Sequence, residues 1–332
     1  MNELDLIQRL TRVLPDGPEV RVGPGDDCAV LDLGAADREF LFKTDAVVEG
    51  VHFTADTPPE KIGRKALARC LSDVAAMAGT PSAALVTLGL PRDFQPERVE
   101  GIYAGLSALA RQHRVAVVGG ETTLNPGGVL LSVALLGWVA KGRAVRRAGA
   151  RVGDAIFVTG ELGGALAGKH LDFEPRLAEA RWLAEQFDVH AMIDLSDGLA
   201  TDLRHLLRAG GVGAELLMRA IPVSRAARER SRQAAQAGRQ PGSLPSGGEP
   251  APDTPGAGLK PSLLAALTDG EDFELLFAVA ASDAVRLLDS WRERFPTLRL
   301  SCIGKVVAGN EAVLRDEGRV WPLPERGYVH FA

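Results

Sequence analysis

The sequence predicts a mixed α/β protein built from two domains, and three observations lead to this prediction. The 332 residues are enough for about two domains of ordinary size. Short runs of β-branched and alternating apolar residues interleave with stretches of helical period, a pattern typical of strands packed under helices. A glycine- and arginine-rich segment at Lys141–Gly153 interrupts the pattern, which then starts again. We therefore expect domains over residues 1–141 and 150–332.

The first domain is expected to be a sheet with helices on one face. Apolar side chains return at three- and four-residue steps in Ile62–Ala78 and in Glu97–Arg114, which is the period of amphipathic helices. Alternation and β-branching predict strands at Cys28–Leu33, Glu39–Thr44, Ala83–Leu88, Val115–Val118 and Val129–Val139.

The second domain shows the same alternation. Strands are predicted at Ala155–Thr159, Ala191–Asp194, Phe273–Val279 and Ser301–Val307, with helices at Gly198–Arg208 and Asp283–Arg294. Between them, Gly238–Lys260 holds six glycines and five prolines among 23 residues and no aromatic residue. Such a segment buries too little apolar surface to offset the entropy of ordering, so we expect a disordered insertion over 238–260.

Charge and hydropathy argue against several classes of protein. The chain has 38 basic and 43 acidic residues and a net charge of −5, without a long basic run, so nucleic acid is not an expected partner. The apolar run Val129–Ala140 is too short to span a bilayer, and the first ten residues lack the apolar core of a signal peptide. Three cysteines lie far apart without a CxxC pair, which favours a reducing cytoplasm.

One glycine-rich turn imitates a phosphate-binding loop. Gly163, Gly168 and Lys169 fit the pattern GxxxxGK after a predicted strand. The motif requires a Ser or Thr after the lysine to bind Mg²⁺, and His170 stands there instead. We interpret the segment as a structural turn.

Carboxylates at strand ends and helix margins are the informative feature. They are Asp26 and Asp27 after GPG, Asp45 after LFKT, Asp73 at the margin of a helical apolar stripe, Glu121 after VAVVGG, and Asp194 and Asp197 in IDLSDG. Taken singly, each has a structural explanation as a turn former, a helix ion pair or a helix cap. Taken together, strand ends of one layered domain tend to meet at one rim, so we expect a carboxylate cluster.

Such a cluster implies a bound cation. Two carboxylates ~4 Å apart repel by about 4 kcal/mol at an effective dielectric constant near 20. Oxygen ligands without a His/Cys cluster select a hard ion such as Mg²⁺, and phosphate oxygens usually complete its shell. Arg143, Arg146 and Arg147 are candidate partners for phosphate, with a solvated basic linker as the alternative. Nucleophile signatures such as GxSxG and HExxH are absent from the sequence, and His52 is the one histidine in a suggestive context, just after Asp45.

Eight segments in this order resemble the thiamine-monophosphate kinases of the PurM-like ATP-binding superfamily. They are GPGDDCAV (23–30), KTDAVVEGVHF (43–53), KALARCLSDVAAMAG (65–79), VVGGETT (117–123), GRAVRRAGARVGD (142–154), IDLSDGLATDL (193–203), GEDFELLF (270–277) and RGYVHF (326–331). They run through nearly the whole chain outside the insertion. The combination of GDDCA, TDxxVEGVHF and DLSDGL is far more specific than any single motif.

The resemblance implies a two-domain PurM-like fold whose N-terminal domain dimerises with a second copy and binds ATP and Mg²⁺. It implies transfer of phosphate from ATP to thiamine monophosphate, the last step of thiamine diphosphate biosynthesis, without a catalytic general base. It implies several Mg²⁺ ions held by Asp27, Thr44, Asp45, Asp73, Glu121, Asp194 and Asp197, with a monovalent cation as a further candidate. It implies ATP contacts from Tyr103, Gly120, Glu121, Arg147 and Ser196, and a thiamine pocket of His52, Glu271 and Tyr328.

Two departures from the family pattern stand out. Glu121 takes the place of the usual aspartate, and Lys43 precedes Thr44 where some relatives carry a hydroxyl. Two alternatives remain: another enzyme of the superfamily, such as a selenophosphate synthetase, which would need a reactive cysteine near the N-terminus, or a nucleotide-binding protein without turnover.

Overall fold

The computed structural model describes residues 3–236 and 261–325, and the chain divides into two compact units. The N-terminal unit comprises Val13–Val145 and Gly168–Trp182. The C-terminal unit comprises Met1–Arg12, Arg146–Ala167 and Leu183–Ala332, within the described residues. The predicted insertion at 238–260 and Tyr328 lie outside the described residues.

The helices are α1 (Glu3–Thr11), α2 (Pro59–Ala76), α3 (Pro96–His113), α4 (Lys169–Asp172), α5 (Leu177–Gln186), α6 (Leu199–Gly210), α7 (Arg225–Gln236), α8 (Pro261–Thr268) and α9 (Ala284–Arg294). The strands are β1 (Val20–Val22), β2 (Ala29–Leu31), β3 (Arg38–Val48), β4 (Thr80–Leu90), β5 (Ala116–Leu124), β6 (Leu130–Ala140), β7 (Ala155–Thr159), β8 (Val189–Asp194), β9 (Gly213–Leu217), β10 (Leu275–Val279), β11 (Leu300–Val307), β12 (Ala312–Asp316) and β13 (Arg319–Pro322). This mixed α/β composition confirms the predicted fold class.

The N-terminal unit is a six-stranded sheet in the order β1-β2-β3-β6-β4-β5, with α2 packed on α3. Proline occupies the start of both helices, where its fixed φ and missing N–H suit the first turn. The helices approach closely at Gly105, where an added Cβ would lie 1.8 Å from the Glu60 carbonyl oxygen. Apolar residues of one sheet face, such as Leu41 and Val133, are buried in the core of this unit.

The opposite face of this sheet is open. Phe42 and Leu85 keep 48% and 47% of their surfaces exposed, and every residue of the edge strand β5 is exposed. Apolar side chains that large are normally covered when they form a contiguous patch.

Two predicted strand ends in this unit are wrong. The prediction ended one strand at Thr44, but β3 continues to Val48, so Asp45 lies inside the strand. The other prediction ended at Val118, but β5 continues to Leu124 and includes Glu121. In both cases, pairing with a long neighbouring strand overrides the low strand propensity of the acids and glycines.

The C-terminal unit is a seven-stranded sheet in the order β13-β12-β9-β11-β7-β10-β8. Its apolar core includes Ile193, Leu203 and Ile303, contributed by β8, α6 and β11. The β7 bounds match the prediction, whereas β10 begins at Leu275 and not at Phe273. Among the described helices, none is long and apolar enough to cross a membrane.

Candidate functional site

Two buried carboxylates lie together in the N-terminal unit. Asp27 follows the turn at Gly25 and precedes β2, and Asp73 lies on α2. Their exposed fractions are 1% and 6%, and one carboxylate oxygen of each lies within 4.8 Å of the other. Buried like charges at this distance repel strongly unless a cation stands close to them.

A lysine from β3 joins these acids. Side chains alternate along a strand, so Lys43 and Asp45 point to the same helix-covered face as the buried Leu41. The Lys43 Nζ lies 2.9 Å from Asp73 Oδ1 and 3.9 Å from Asp45 Oδ1. Burial opposes the charged form of Lys43, but Asp73 and Asp45 outweigh burial and raise the pKa of the ammonium well above its usual value. Lys43 is therefore charged.

Cys28 is a neutral thiol beside this cluster. Burial raises the pKa of Cys28 well above its ordinary value, and the charge of Asp73 raises it further. A thiol in this environment is a poor nucleophile and a poor metal ligand. The selenophosphate synthetase alternative, which needs a reactive cysteine, gains no support from Cys28.

The donor set of the cluster fits magnesium. Asp27, Asp45 and Asp73 offer hard oxygen ligands, and Mg²⁺ prefers carboxylate oxygens to nitrogen or sulfur. The close approach of Asp27 and Asp73 is the arrangement that a divalent cation stabilises.

Thr44 and Glu121 lie on the other face of the sheet. Thr44 Oγ1 is 3.3 Å from Ser132 Oγ on β6. Register places Ser132 opposite Thr87, and Thr87 opposite Glu121. Cross-strand neighbours share a face, so the structure groups Thr44 with Glu121 and separates both side chains from the Asp73 cluster.

Gly120 lies where β5 approaches β4 most closely. A Cβ at this position would meet the Val86 carbonyl oxygen at 1.9 Å, so only glycine fits. Tyr103, the other predicted ATP contact in this unit, is on α3 and half-buried, and burial raises the pKa of its phenol.

Hydrogen bonds of its ring and backbone hold His52 in the loop after β3. Its Nδ1 accepts the Val48 N–H at 3.1 Å, so the neutral ring carries its proton on Nε2 and presents a donor there. Lys65, which is 0% exposed on α2, donates from Nζ to the His52 carbonyl oxygen at 2.7 Å. The Lys65 Nζ also lies 2.8 Å from Nδ1 of His170 on α4.

A second group of acids lies in the C-terminal unit. Asp194 ends β8 and is buried, and Asp197 is half-buried just before α6. Asp202, inside α6, accepts the N–H groups of Asp197 and Gly198 at 3.0 and 3.1 Å. Burial raises the pKa of Asp202 well above its usual value, and the charges of Asp197 and Asp194 raise it further. Asp202 therefore favours its neutral form.

Arg147 lies close to this second group. The positive charge of Arg147 opposes the rise in the pKa of Asp202. Burial lowers the pKa of His205 to about 4, and the charge of Arg147 adds to this lowering. His205 is therefore neutral at physiological pH. Arg143 and Arg146 are exposed.

The segment with Glu271 has an unusual backbone. Glu271 and Phe273 have φ values of 56° and 50°, a region that costs energy for residues other than glycine. The Glu271 N–H donates to the Ser196 carbonyl oxygen at 2.7 Å, and the Phe273 N–H donates to the Leu195 carbonyl oxygen at 2.8 Å. The structure thus joins predicted residues Ser196 and Glu271, and the strain explains why β10 begins only at Leu275.

The glycine-rich turn after β7 is structural in this geometry. The Gly163 N–H donates to both carboxylate oxygens of Asp272, at 3.0 and 2.9 Å. The Gly164 N–H donates to Asp269 Oδ2 at 2.8 Å. Carboxylates of the protein occupy the N–H groups that a phosphate loop would offer to its ligand.

Sequence reasoning missed three charged residues of these groups. The motif comparison marks Lys43 only as a departure from the family pattern. Its position two residues before Asp45 nevertheless places both side chains on one face of the strand. Lys65 and Asp202 each lie in apolar helical stripes, and a charged residue at a core position of such a stripe was the available signal.

The comparisons with known proteins agree with this architecture. Residues 25–139 match the AIR synthase related protein N-terminal domain, and residues 126–317 match the corresponding C-terminal domain. A thiamine-monophosphate kinase of Rhodopirellula baltica is 37% identical, over 94% of this chain and 92% of that protein. The chain belongs to the thiamine-monophosphate kinase family.

Other members of the thiamine-monophosphate kinase family are also similar over nearly full length. The Escherichia coli enzyme is 32% identical over 99% of this chain and 98% of its own. The solved structure of AaThiL complexed with AMPPCP and TMP has a TM-score of 0.74 and 29% identity, over 97% of this chain and 96% of that one. The predicted resemblance and the two-domain fold are confirmed.

Proposed function

We propose that this chain is an ATP-dependent kinase that phosphorylates thiamine monophosphate to thiamine diphosphate. Family membership supports the reaction, and the AaThiL structure that resembles this chain holds AMPPCP and TMP. Within the chain itself, the observation that carries the proposal is the pair of buried carboxylates Asp27 and Asp73, a donor set suited to magnesium-bound phosphates.

The proposed magnesium ligands are Asp27, Asp45 and Asp73 on one face of the N-terminal sheet, Thr44 and Glu121 on the other face, and Asp194 and Asp197 in the C-terminal unit. When bound, Mg²⁺ neutralises phosphate oxygens and lowers the repulsion between the two phosphate groups. A monovalent cation is part of the proposal only as an assisting ion.

The other roles follow the same proposal. Arg147 and Ser196 contact the ATP phosphates, and Gly120 and Tyr103 border the nucleotide. Arginine suits this task because its planar guanidinium binds phosphate oxygens in pairs. The proposed thiamine contacts are His52, which offers its Nε2–H, together with Glu271 and Tyr328.

The reaction needs no general base. The second pKa of a phosphate monoester is about 6, so the acceptor is largely a dianion at neutral pH and attacks directly. The contribution of the protein is then alignment of the two phosphates and compensation of their charge.

We further propose that the enzyme is a cytoplasmic homodimer. The open face of the N-terminal sheet, with Phe42, Leu85 and the exposed strand β5, is the surface that a second copy would cover. The buried free thiols of Cys28 and Cys70 suit a reducing compartment.

A coupled assay of ADP release tests the proposal directly. The purified chain with thiamine monophosphate, ATP and Mg²⁺ should release ADP, and chelation of the metal should stop the release. Nucleotide binding without ADP formation would instead favour a protein that binds ATP without turnover. ADP release that does not depend on thiamine monophosphate would indicate another activity of the superfamily.

A further inference from the structure

We propose that the Lys43 ammonium is a built-in cation of the Asp27–Asp45–Asp73 cluster and replaces one divalent ion that these carboxylates would otherwise bind. The inference rests on the proposed magnesium site. It concerns the number of ions bound and the stability without them, rather than the phosphoryl transfer itself.

The contacts of Lys43 place its charge inside the cluster. Its Nζ is within hydrogen-bond distance of Asp73 Oδ1, at 2.9 Å, and 3.9 Å from Asp45 Oδ1. Asp27 and Asp73 approach within 4.8 Å. The Lys43 ammonium therefore lies beside two of the three carboxylates, Asp73 and Asp45. The third, Asp27, is a close neighbour of Asp73.

The strand keeps Lys43 in this position. β3 pairs with β2 on one side and with β6 over its full length on the other, so its backbone cannot rotate the side chain outward. The Lys43 side chain is 23% exposed and lies between Leu41 and Asp45 on the face that α2 covers. An ammonium held this way contributes a permanent positive charge, unlike a diffusible ion.

The charge count gives the consequence. The Arg69 guanidinium, whose Nε lies 3.9 Å from Asp45 Oδ2, is a second cation at the edge of the cluster. With Arg69 unchanged, a neutral side chain at residue 43 makes the net charge of the cluster more negative by one unit than in the wild type. The wild-type cluster should therefore be stable without metal and bind Mg²⁺ weakly. A neutral variant should depend on Mg²⁺ for stability and bind it more tightly, because a repelling charge has been removed.

The test compares the wild type with Lys43→Met, using Mg²⁺ alone as the probe and the full-length, nucleotide-free protein. Thermal unfolding is measured in EDTA and in Mg²⁺, and Mg²⁺ binding is measured by calorimetry. Lys61→Met is the matched control, since Lys61 lies on α2 of the same unit but pairs with the exposed Asp172.

We expect the melting temperature of Lys43→Met to be lower than that of the wild type by about 5–10 °C in EDTA, and Mg²⁺ to restore most of the loss. The variant should bind one more ion per chain, with an affinity at least about tenfold higher. The wild type and Lys61→Met should change little between EDTA and Mg²⁺.

A loss of stability in Lys43→Met that is equal in EDTA and in Mg²⁺ would overturn the inference, because the lysine would then be only structural. Equal Mg²⁺ affinity and ion number in both proteins would overturn it as well. If Lys43→Met does not fold in EDTA, the double variant Lys43→Met/Asp45→Asn restores the wild-type net charge of the cluster and should fold there. Failure of the double variant to fold contradicts the inference. If Lys43→Met shows the metal-dependent stability but ADP release is absent from the wild type, the proposed function fails and this inference stands.

Discussion

The two acidic groups of this chain handle crowded negative charge in different ways. In the N-terminal unit, the Lys43 ammonium lies 2.9 Å from Asp73 Oδ1 and offsets part of the negative charge. In the C-terminal unit, Asp202 favours its neutral form beside Asp194 and Asp197, and its side chain accepts two backbone N–H groups. A fixed cation offsets the negative charge of the first group, whereas burial shifts an acid of the second group toward its uncharged form.

The two groups should therefore respond differently to a change of pH and to loss of metal. A lysine with a raised pKa stays charged across the neutral range, so the N-terminal cluster keeps its charge balance. In the C-terminal group, burial raises the pKa of Asp202 well above its usual value and lowers the pKa of His205 to about 4, so the charge of this group responds to pH.

The largest effect is expected from Asp45→Asn. The substitution removes a proposed ligand of the ionised cluster, so kcat for ADP release should fall by about a thousandfold, while the melting temperature stays close to that of the wild type. Asp37→Asn, which changes an exposed acid beside β3 paired with Arg38, is the control and should remain active. Activity of Asp45→Asn near the wild-type level would remove Asp45 from the site.

The second prediction concerns pH and the C-terminal group. The folded state lowers the pKa of His205 from 6.5 to about 4, so the unfolded state binds more protons between these values. The contribution to stability is present above pH 6.5 and is lost as pH falls toward 4, by up to about 3 kcal/mol. Urea unfolding of the wild type and His205→Gln across this range should show a flatter profile for the variant. Parallel profiles would contradict the assignment.

The third prediction concerns Lys65, the fully buried lysine on α2. Lys65→Met removes the hydrogen bond to the His52 carbonyl oxygen, so the His52 loop loses its support. The KM for thiamine monophosphate should rise about tenfold with a smaller change in the KM for ATP. Lys61→Met is again the control. An equal rise in both KM values would assign Lys65 a general structural role.

Asp202→Asn should give the smallest effect. Because the folded state raises the pKa of Asp202, a neutral amide that still accepts the N–H groups of Asp197 and Gly198 should cost less than about 1 kcal/mol at neutral pH. The sign of the linkage is opposite to that of His205: the stability contribution of Asp202 is present at low pH and is lost as pH rises through its folded pKa. A destabilisation that is larger at high pH than at low pH would show that Asp202 is ionised.

Much of this arrangement could be predicted from local pattern, and the limits have physical causes. Asp73 was placed at the margin of an apolar stripe, and the structure buries it. The bounds of β7 matched because an apolar strand is followed at once by glycine turns. Local propensity predicts strand ends at Asp45 and Glu121, and this is wrong. Pairing of β3 with β6 and of β5 with β4 extends both strands through residues that local propensity disfavours.

Other features depend on contacts between distant segments. The ion pair of Lys43 with Asp73 joins a strand to a helix 30 residues on, and alternation indicates only the face of Lys43 and not its partner. The opposed faces of Thr44 and Asp45 follow from alternation, but grouping Thr44 with Glu121 required the register of three strands.

A crystal structure with Mn²⁺ and a non-hydrolysable ATP analogue, with the ions located by anomalous scattering, would show directly whether the buried carboxylates bind metal. We expect Mn²⁺ bound to oxygens of Asp27 and Asp73, with the Lys43 ammonium still beside Asp73. Mn²⁺ bound only away from these two carboxylates, with nucleotide present, would contradict this expectation.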